Sequence, residues 1–462
     1  MSSTTGTRNS TRYDNALFGS PVHLAAARRA ADIAFGSAAE REFTVRFWDG
    51  SEDGPASGSR FTLSIRRVGA LRRAMLPPSE LGIVEAYLRD DIDVEDNLEG
   101  AGILSDVVAR RLRSPLNVAA LVRVLRTLPT DDLPSVNSGP RRASLWDRLR
   151  GHTRAGDADQ VRHHYDVGND FYALWLDRRM LYSCAYFPTG GESLDAAQEA
   201  KLDHICRKLR LKAGERLLDV GCGWGGMLEY AATRFGVSGV GITLSEPQAI
   251  VARERLARAG VGDRVRIEVR DYRDLDPTWK FDKAVSVGMR EHVGGRNLPA
   301  YYGAVERALV PGGLFLDHGI VRGGLWVGSG MFSWLAHRLW RRDAFIERYV
   351  FPGGELVPLG ELMTIAERAG FEARDVENLR EHYALTLRAW VARLEGAHVR
   401  AASMVGEHTY RVWRLYMAAT TLGFASGRLT LIQTLLAKPH PDGSVSVPPS
   451  REDIYLRSAR KP

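Results

Sequence analysis

Residues 215–236, ERLLDVGCGWGGMLEYAATRFG, read as a buried strand over 216–220, a turn built on Gly221, Gly223, Gly225 and Gly226, and a helix running on from it. Glycines at such a turn let the backbone pass close to a ligand and leave the helix N-terminus free to face it. The pattern alone does not choose the ligand, because a nicotinamide dehydrogenase spaces its glycines similarly. The choice is made downstream.

A second strand, VSGVGITLS, ends in Thr243, Leu244 and Ser245, where a dinucleotide enzyme would present an acidic residue to the ribose hydroxyls; Gln248 is placed to do that job instead. A third, RVRIEVRDYRDL, delivers Asp271 and Tyr272 at its end, one able to accept from an adenine amine and the other to cover a ring face. FDKAVSVGM and a Pro-Gly-Gly turn before LFLDHGIV complete the element order typical of class I methyltransferases. The expected fold is therefore α/β, a Rossmann-like doubly wound parallel sheet.

The remainder of the 462 residues leaves room for a further domain. FTVRFWDG and SRFTLSIRR read as two strands joined by a Gly/Ser/Pro loop, and LGIVEAYLRDDIDV as a helix after them, which makes a smaller α+β domain over 21–132. The Pro/Ser/Gly/Arg-rich stretch 133–160 reads as a linker, so the α/β domain is expected over 161–440, with a disordered tail at 1–20 and a C-terminal tail at 441–462.

A net charge of +7 favours an acidic partner surface. Anionic lipid and nucleic acid both fit, but no zinc finger, RNA-binding signature or long basic run is present, so lipid is preferred and no nucleic-acid partner is expected. Cys184, Cys206 and Cys222 lack metal-ligand spacing and a disulfide framework, which points to a reducing compartment and to no metal. With no signal peptide and no run of about 18 apolar residues, the expectation is a cytoplasmic protein whose membrane contact is peripheral.

HHYDVGNDFYALWLDRRMLYSCAYF, LDVGCGWGG, ITLSEPQ, DYRDL, SVGMREHVG and YVFPGGELVPL, in this order, resemble the cyclopropane fatty acid synthases and their mycolic acid relatives from about 163 to past 435. The smaller domain, with ELGIVEAYLRDDIDVED, is similar to the lipid-binding domain of the phospholipid-acting members. The resemblance implies S-adenosylmethionine as cofactor and an unsaturated phospholipid at a membrane surface as substrate. An alkene is a weak nucleophile, so methyl transfer to it leaves a carbocation, and closing a cyclopropane then needs a dry, positioned base. In the family that base is a bound bicarbonate, and the residues that hold it correspond to Cys184, Glu291, His318, Ile320 and Tyr383.

The cofactor contacts implied are Tyr182, Ser183, Asp219, the turn residues Gly221, Cys222, Gly223 and Gly225, the segment from Thr243 to Gln248, and Tyr272. A helix carrying His164, Tyr165, Asp166, Asn169 and Phe171 would close over the site and keep water from the cation. A fatty-acyl C-methyltransferase that leaves a methylene or methyl branch uses the same donor and olefin, and is the alternative. A soluble small-molecule methyltransferase is a more distant one. A homodimer, and a reductase partner for a methylene product, stay open.

Taken singly, each candidate has a plainer explanation: Glu291 pairing with Arg290, His318 satisfied by backbone, Tyr383 and Cys184 as packing. It is the joint match that argues for a site. Three features depart from the family. Arg290 stands where Phe is usual, Thr420 stands where better-known members carry a cysteine, and a longer stretch, RGGLWVGSGMFSWLAHRLWRRDAF, precedes YVFPGG. In it Met331, Trp334, Leu335 and Trp340 share a helical face beside Arg338, Arg341 and Arg342, which suits either an interfacial membrane element or packing.

Overall fold

The computed structural model describes residues 20–76, 80–96, 100–130, 167–323, 345, 349–350 and 355–455. The linker 133–160, His164, Tyr165, Asp166 and the Trp-rich stretch from 324 to 344 lie outside the described residues. The chain forms two compact units, which divide near residue 138.

In the first unit, helix α1 (Pro21–Phe35) starts on a proline, the residue that tolerates a helix start best. Strands β1 (Thr44–Arg46), β2 (Glu52–Asp53), β3 (Thr62–Ile65) and β4 (Ile92–Glu95) form a sheet in the order β2-β1-β3-β4. The two strands read from sequence are β1 and β3. They pair parallel, while the loop between them contributes β2 as an antiparallel edge. Helices α2 (Ala70–Met75), α3 (Glu80–Leu88), α4 (Gly100–Arg111) and α5 (Pro115–Leu125) complete the unit.

The helix expected through LGIVEAYLRDDIDV ends at Leu88. Asp90 turns the chain at φ 62°, and the following alternation Ile92, Asp93, Val94 pairs with β3 as β4. Tertiary pairing there overrides the helical continuation.

The second unit carries helices α6 (Asn169–Ala173) and α7 (Leu194–Lys208) ahead of strand β5 (Arg216–Val220). Strand then alternates with helix through α8 (Gly226–Phe235), β6 (Ser238–Thr243), α9 (Glu246–Arg258), β7 (Val265–Val269), β8 (Phe281–Val287), α10 (Leu298–Ala308) and β9 (Leu309–Arg322). After these come α11 (Leu359–Arg368), β10 (Glu372–Asn378), α12 (Arg380–Gly396), α13 (His398–Val405), α14 (Glu407–Ala425), β11 (Leu429–Ala437) and α15 (Glu452–Tyr455).

The described sheet has seven strands in the order β10-β11-β9-β8-β5-β6-β7. Strands β7 to β9 run parallel and β11 and β10 pair antiparallel at one edge. In β5, Leu217 joins the apolar layer under α7, α8 and α9, while Leu218 joins the layer under α10 and α11. Helices cover both faces, so the strand is buried throughout apart from its first residue, and each large apolar side chain contributes roughly 1.5–3 kcal/mol. The order reverses between β5 and β8, which opens a crevice at their carboxyl ends, where doubly wound sheets hold ligands.

The described part of the segment read as a C-terminal tail packs onto this unit. Arg210 pairs with Asp453 at 2.7 Å, Arg451 with Asp375 at 2.8 Å, and Ile454 is fully buried.

Candidate active site

A cleft of ≈ 1020 Å³, counting its open mouth, lies at that crevice. Its walls include Tyr182, Ser183, Asp219, Gly221, Cys222, Gly223, Thr243, Leu244, Gln248 and Tyr272, ten of the thirteen residues expected to bind cofactor. The other three support the walls. Gly225 caps α8 in a left-handed conformation against Ala252, and the Ser245 hydroxyl accepts from the Gln248 N–H to start α9. The Asp271 carboxylate is engaged by Arg273, through its N–H and its guanidinium.

The cleft fits S-adenosylmethionine on two observations. Gly221 has φ 86°, and a Cβ built there would lie 3.2 Å from Met289, itself a lining residue, so only glycine keeps the turn open. Oδ2 of Asp219, a residue of the cleft lining, is buried without a hydrogen-bond partner among the described residues, and a cationic ligand group would supply one.

Burial pushes the Asp219 carboxyl up to about 7, against the pull of the Lys201 ammonium. A cation binds the ionised carboxylate better, so cofactor affinity should rise as pH climbs from 6 to 7.5, and binding should release a proton. Calorimetry across that range checks the sign. Asp219→Asn should bind more weakly and with a flatter pH dependence.

The five residues expected to hold the base are not among those lining this cleft, though Ser183, Met289 and His292 near them in the chain are. Strand β8 stops at Val287, opposite His318, so the N–H of Ile320 extends past its last β8 partner and donates to Oε1 of Glu291 at 2.7 Å. Oε2 of Glu291 is shielded from solvent and unpartnered among the described residues. Burial raises the Glu291 carboxyl above its ordinary range while Arg290 opposes that. His318 is 1 % exposed and held well below its usual value by burial, hence neutral. Its Nδ1 is 3.0 Å from the Gln433 amide nitrogen and its Nε2 has no partner among the described residues.

Cys184 and Tyr383 meet at the Leu379 carbonyl, 3.9 Å from the Cys184 sulfur and accepting from the Tyr383 N–H at 3.1 Å. An aromatic wall joins them to the cleft: Tyr182 is 5.3 Å from Trp390 between ring centroids, and Trp390 is 6.1 Å from Tyr383. Burial holds the Cys184 thiol protonated, so it is no nucleophile at neutral pH. Thr420 is buried and its hydroxyl has no partner among the described residues. Of the lid residues, Asn169 accepts from the Trp224 indole N–H at 2.9 Å, and Phe171 packs in the same aromatic wall, 5.8 Å from Trp413.

Sequence reasoning missed Lys201, Trp224, Arg270 and His292, all of which line the cleft. Trp224 sits inside the quoted glycine motif and could have been found there. Lys201 lies on α7, ahead of the first sheet strand of the unit, and no spacing pointed to it.

Fold, crevice and glycine turn together define a class I S-adenosylmethionine-dependent methyltransferase. The family model described as mycolic acid cyclopropane synthetase matches residues 152–434. The chain is 37% identical over 407 residues to a probable fatty acid methyltransferase of Mycobacterium tuberculosis, covering 87% of this chain and 92% of that one. A probable fatty acid methyltransferase of Pseudomonas putida is 46% identical, covering 66% of this chain and 76% of the other. The cyclopropane-fatty-acyl-phospholipid synthase of Escherichia coli K12 is 38% identical, covering 61% and 68%. Among solved structures, the cyclopropane synthase MmaA2 of Mycobacterium tuberculosis superposes with a TM-score of 0.57 at 30% identity, over 61% of this chain and 98% of that one. Mycolic acid cyclopropane synthase CmaA1, complexed with SAH and CTAB, gives 0.57 at 32% identity over the same shares. The chain therefore belongs to the cyclopropane synthase family of S-adenosylmethionine-dependent methyltransferases.

Proposed function

We propose that this enzyme methylates the double bond of an unsaturated fatty acyl chain of a phospholipid and closes a cyclopropane ring. The observation that carries the reading is the pair of unspent, buried polar atoms, Oε2 of Glu291 and Nε2 of His318, on residues outside the lining of the cofactor cleft.

S-adenosylmethionine, when bound, supplies an electrophilic methyl group on a sulfonium. The chain's own residues do the rest. The glycine turn and Asp219 would hold the cofactor, and the packed rings of Tyr182, Trp390 and Tyr383 would give an acyl chain apolar surroundings beside it. Aromatic faces also stabilise a nearby cation, by about 0.5–2 kcal/mol each. Bicarbonate suits the chemistry of these groups: Glu291, His318, the Ile320 backbone, Cys184 and Tyr383 would hold it, and it would supply the base for the last proton. Burial of Glu291 and His318 supports this, since buried polar groups are seldom left without a partner.

Substrate class is supported by the relatives, one a cyclopropane-fatty-acyl-phospholipid synthase and two named as probable fatty acid methyltransferases. The latter two names favour a second reading, in which the cation resolves to a methylene or methyl branch. No helix among the described residues is long and apolar enough to cross a membrane, and we place lipid contact at the membrane surface.

The test is mass spectrometry of lipids after incubation with methyl-labelled S-adenosylmethionine and vesicles of monounsaturated phospholipid. A one-carbon gain with a ring in place of the double bond is expected. A branch would establish the second reading, and no labelled lipid under conditions of cofactor binding would overturn both.

A further inference from the structure

We infer that Lys201 is the carboxylate anchor of the cofactor site: its ammonium receives the α-carboxylate of the S-adenosylmethionine amino-acid moiety, with Ser183 as the second donor.

The amino-acid end of the cofactor is a zwitterion, and a buried pocket must answer both of its charges. Asp219 answers the ammonium. For the carboxylate, the cleft lining offers three basic residues among those described: Lys201, Arg270 and His292. Arg270 follows β7 and is already engaged, its Nε by Glu268 at 2.9 Å and its Nη1 by the Asp274 carbonyl at 2.8 Å. His292 lies in the turn after β8 and has an imidazole rather than an ammonium or guanidinium to offer.

Lys201 is 1 % exposed, on the third turn of α7, where lysine is rarely buried without a task. Its Nζ donates to Oγ of Ser183 at 2.9 Å, which leaves two of its three protons for other acceptors. Burial lowers it to about 8, and Asp177, Cys184 and Asp219 pull the other way, so the cation persists at neutral pH.

The neighbouring segment is built to present it. Gln198, one turn earlier on α7, donates to the Leu181 and Ser183 carbonyls at 3.1 and 2.9 Å, which pins the chain carrying Ser183 against the helix. Lys201 and Asp219 thus form an opposed pair of charges on the walls of one cleft, matched to the two charges of an amino acid.

The experiment compares S-adenosylmethionine with decarboxylated S-adenosylmethionine, which keeps the sulfonium and the amine and lacks only the carboxylate. Binding to the full-length protein is measured by calorimetry, so catalysis plays no part. Wild type should prefer the carboxylated ligand by about 10- to 100-fold, the range of a charge-assisted hydrogen bond. Lys201→Met should lose that preference, binding the decarboxylated ligand as wild type does. Lys201→Gln keeps a hydrogen bond to Ser183 while removing the charge, should lose the preference too, and serves if the Met variant does not fold. Lys201→Arg should retain most of it. A preference that survives in the folded Gln or Met variant, or a parallel loss for both ligands, overturns the assignment and makes Lys201 a support for the Ser183 segment.

Discussion

Glu291→Gln is expected to lower turnover by about a hundredfold or more while leaving S-adenosylmethionine affinity within about twofold of wild type. Glutamine can still accept the Ile320 N–H through Oε1, so the local backbone keeps its contact. What changes is the other oxygen. Oε2, buried and unpartnered, becomes an amide nitrogen that cannot accept, and an anion or proton held at that point loses its partner. Glu291 does not line the cofactor cleft, which is why binding should be spared. Single-turnover transfer of labelled methyl to phospholipid vesicles, alongside calorimetry with S-adenosylhomocysteine, separates the two effects. Wild-type turnover would remove Glu291 from the chemistry.

The glycine motif announced both the crevice and the residues around it because strand, turn and helix there are consecutive in the chain. Local spacing is then spatial arrangement. Tyr182 and Ser183 lie far from that motif in sequence and were reached only through the resemblance, as were Cys184, His318 and Tyr383. Lys201 was reached by neither. Its burial follows from α7 packing beneath the segment before Cys184, a tertiary event that leaves a lysine among helix-forming residues looking like any solvated one.

The same holds for Lys208, fully buried between Asp375 at 3.0 Å and Glu377 at 2.5 Å, partners more than 160 residues away. The helix read through 94 failed for a related reason. Ile92 and Val94 satisfy either period over so short a run, and β3 decided between them.

Arg290→Met should destabilise the protein by roughly 3–5 kcal/mol, the cost of leaving one member of a buried ion pair without the other. Phenylalanine is usual at this position in the family, so Arg290 puts a cation where an aromatic is expected. The structure pairs that cation with an acid. Nη1 of Arg290 meets Oδ2 of Asp317 at 2.6 Å, with the side chains 4 % and 1 % exposed, and the Tyr302 hydroxyl donates to the same oxygen at 2.6 Å. Side chains alternate along β9, so Asp317 and Gly319 lie on the opposite face from His318. A Cβ at Gly319 would lie 2.9 Å from the Arg290 guanidinium carbon, and the glycine is what admits the arginine there. The cation is therefore neutralised within its own network, behind the strand that presents the Ile320 N–H to Glu291. Pairing Arg290→Met with Asp317→Asn removes both charges and lets the amide keep an acceptor for Tyr302. The double variant should recover most of the lost stability in urea unfolding, and with it the turnover, because the position of Glu291 depends on the 290–292 turn staying docked against β9. Should the single and double variants prove equally unstable, what holds the turn is the shape of the arginine rather than its charge, and Asp317 is satisfied by Tyr302 alone.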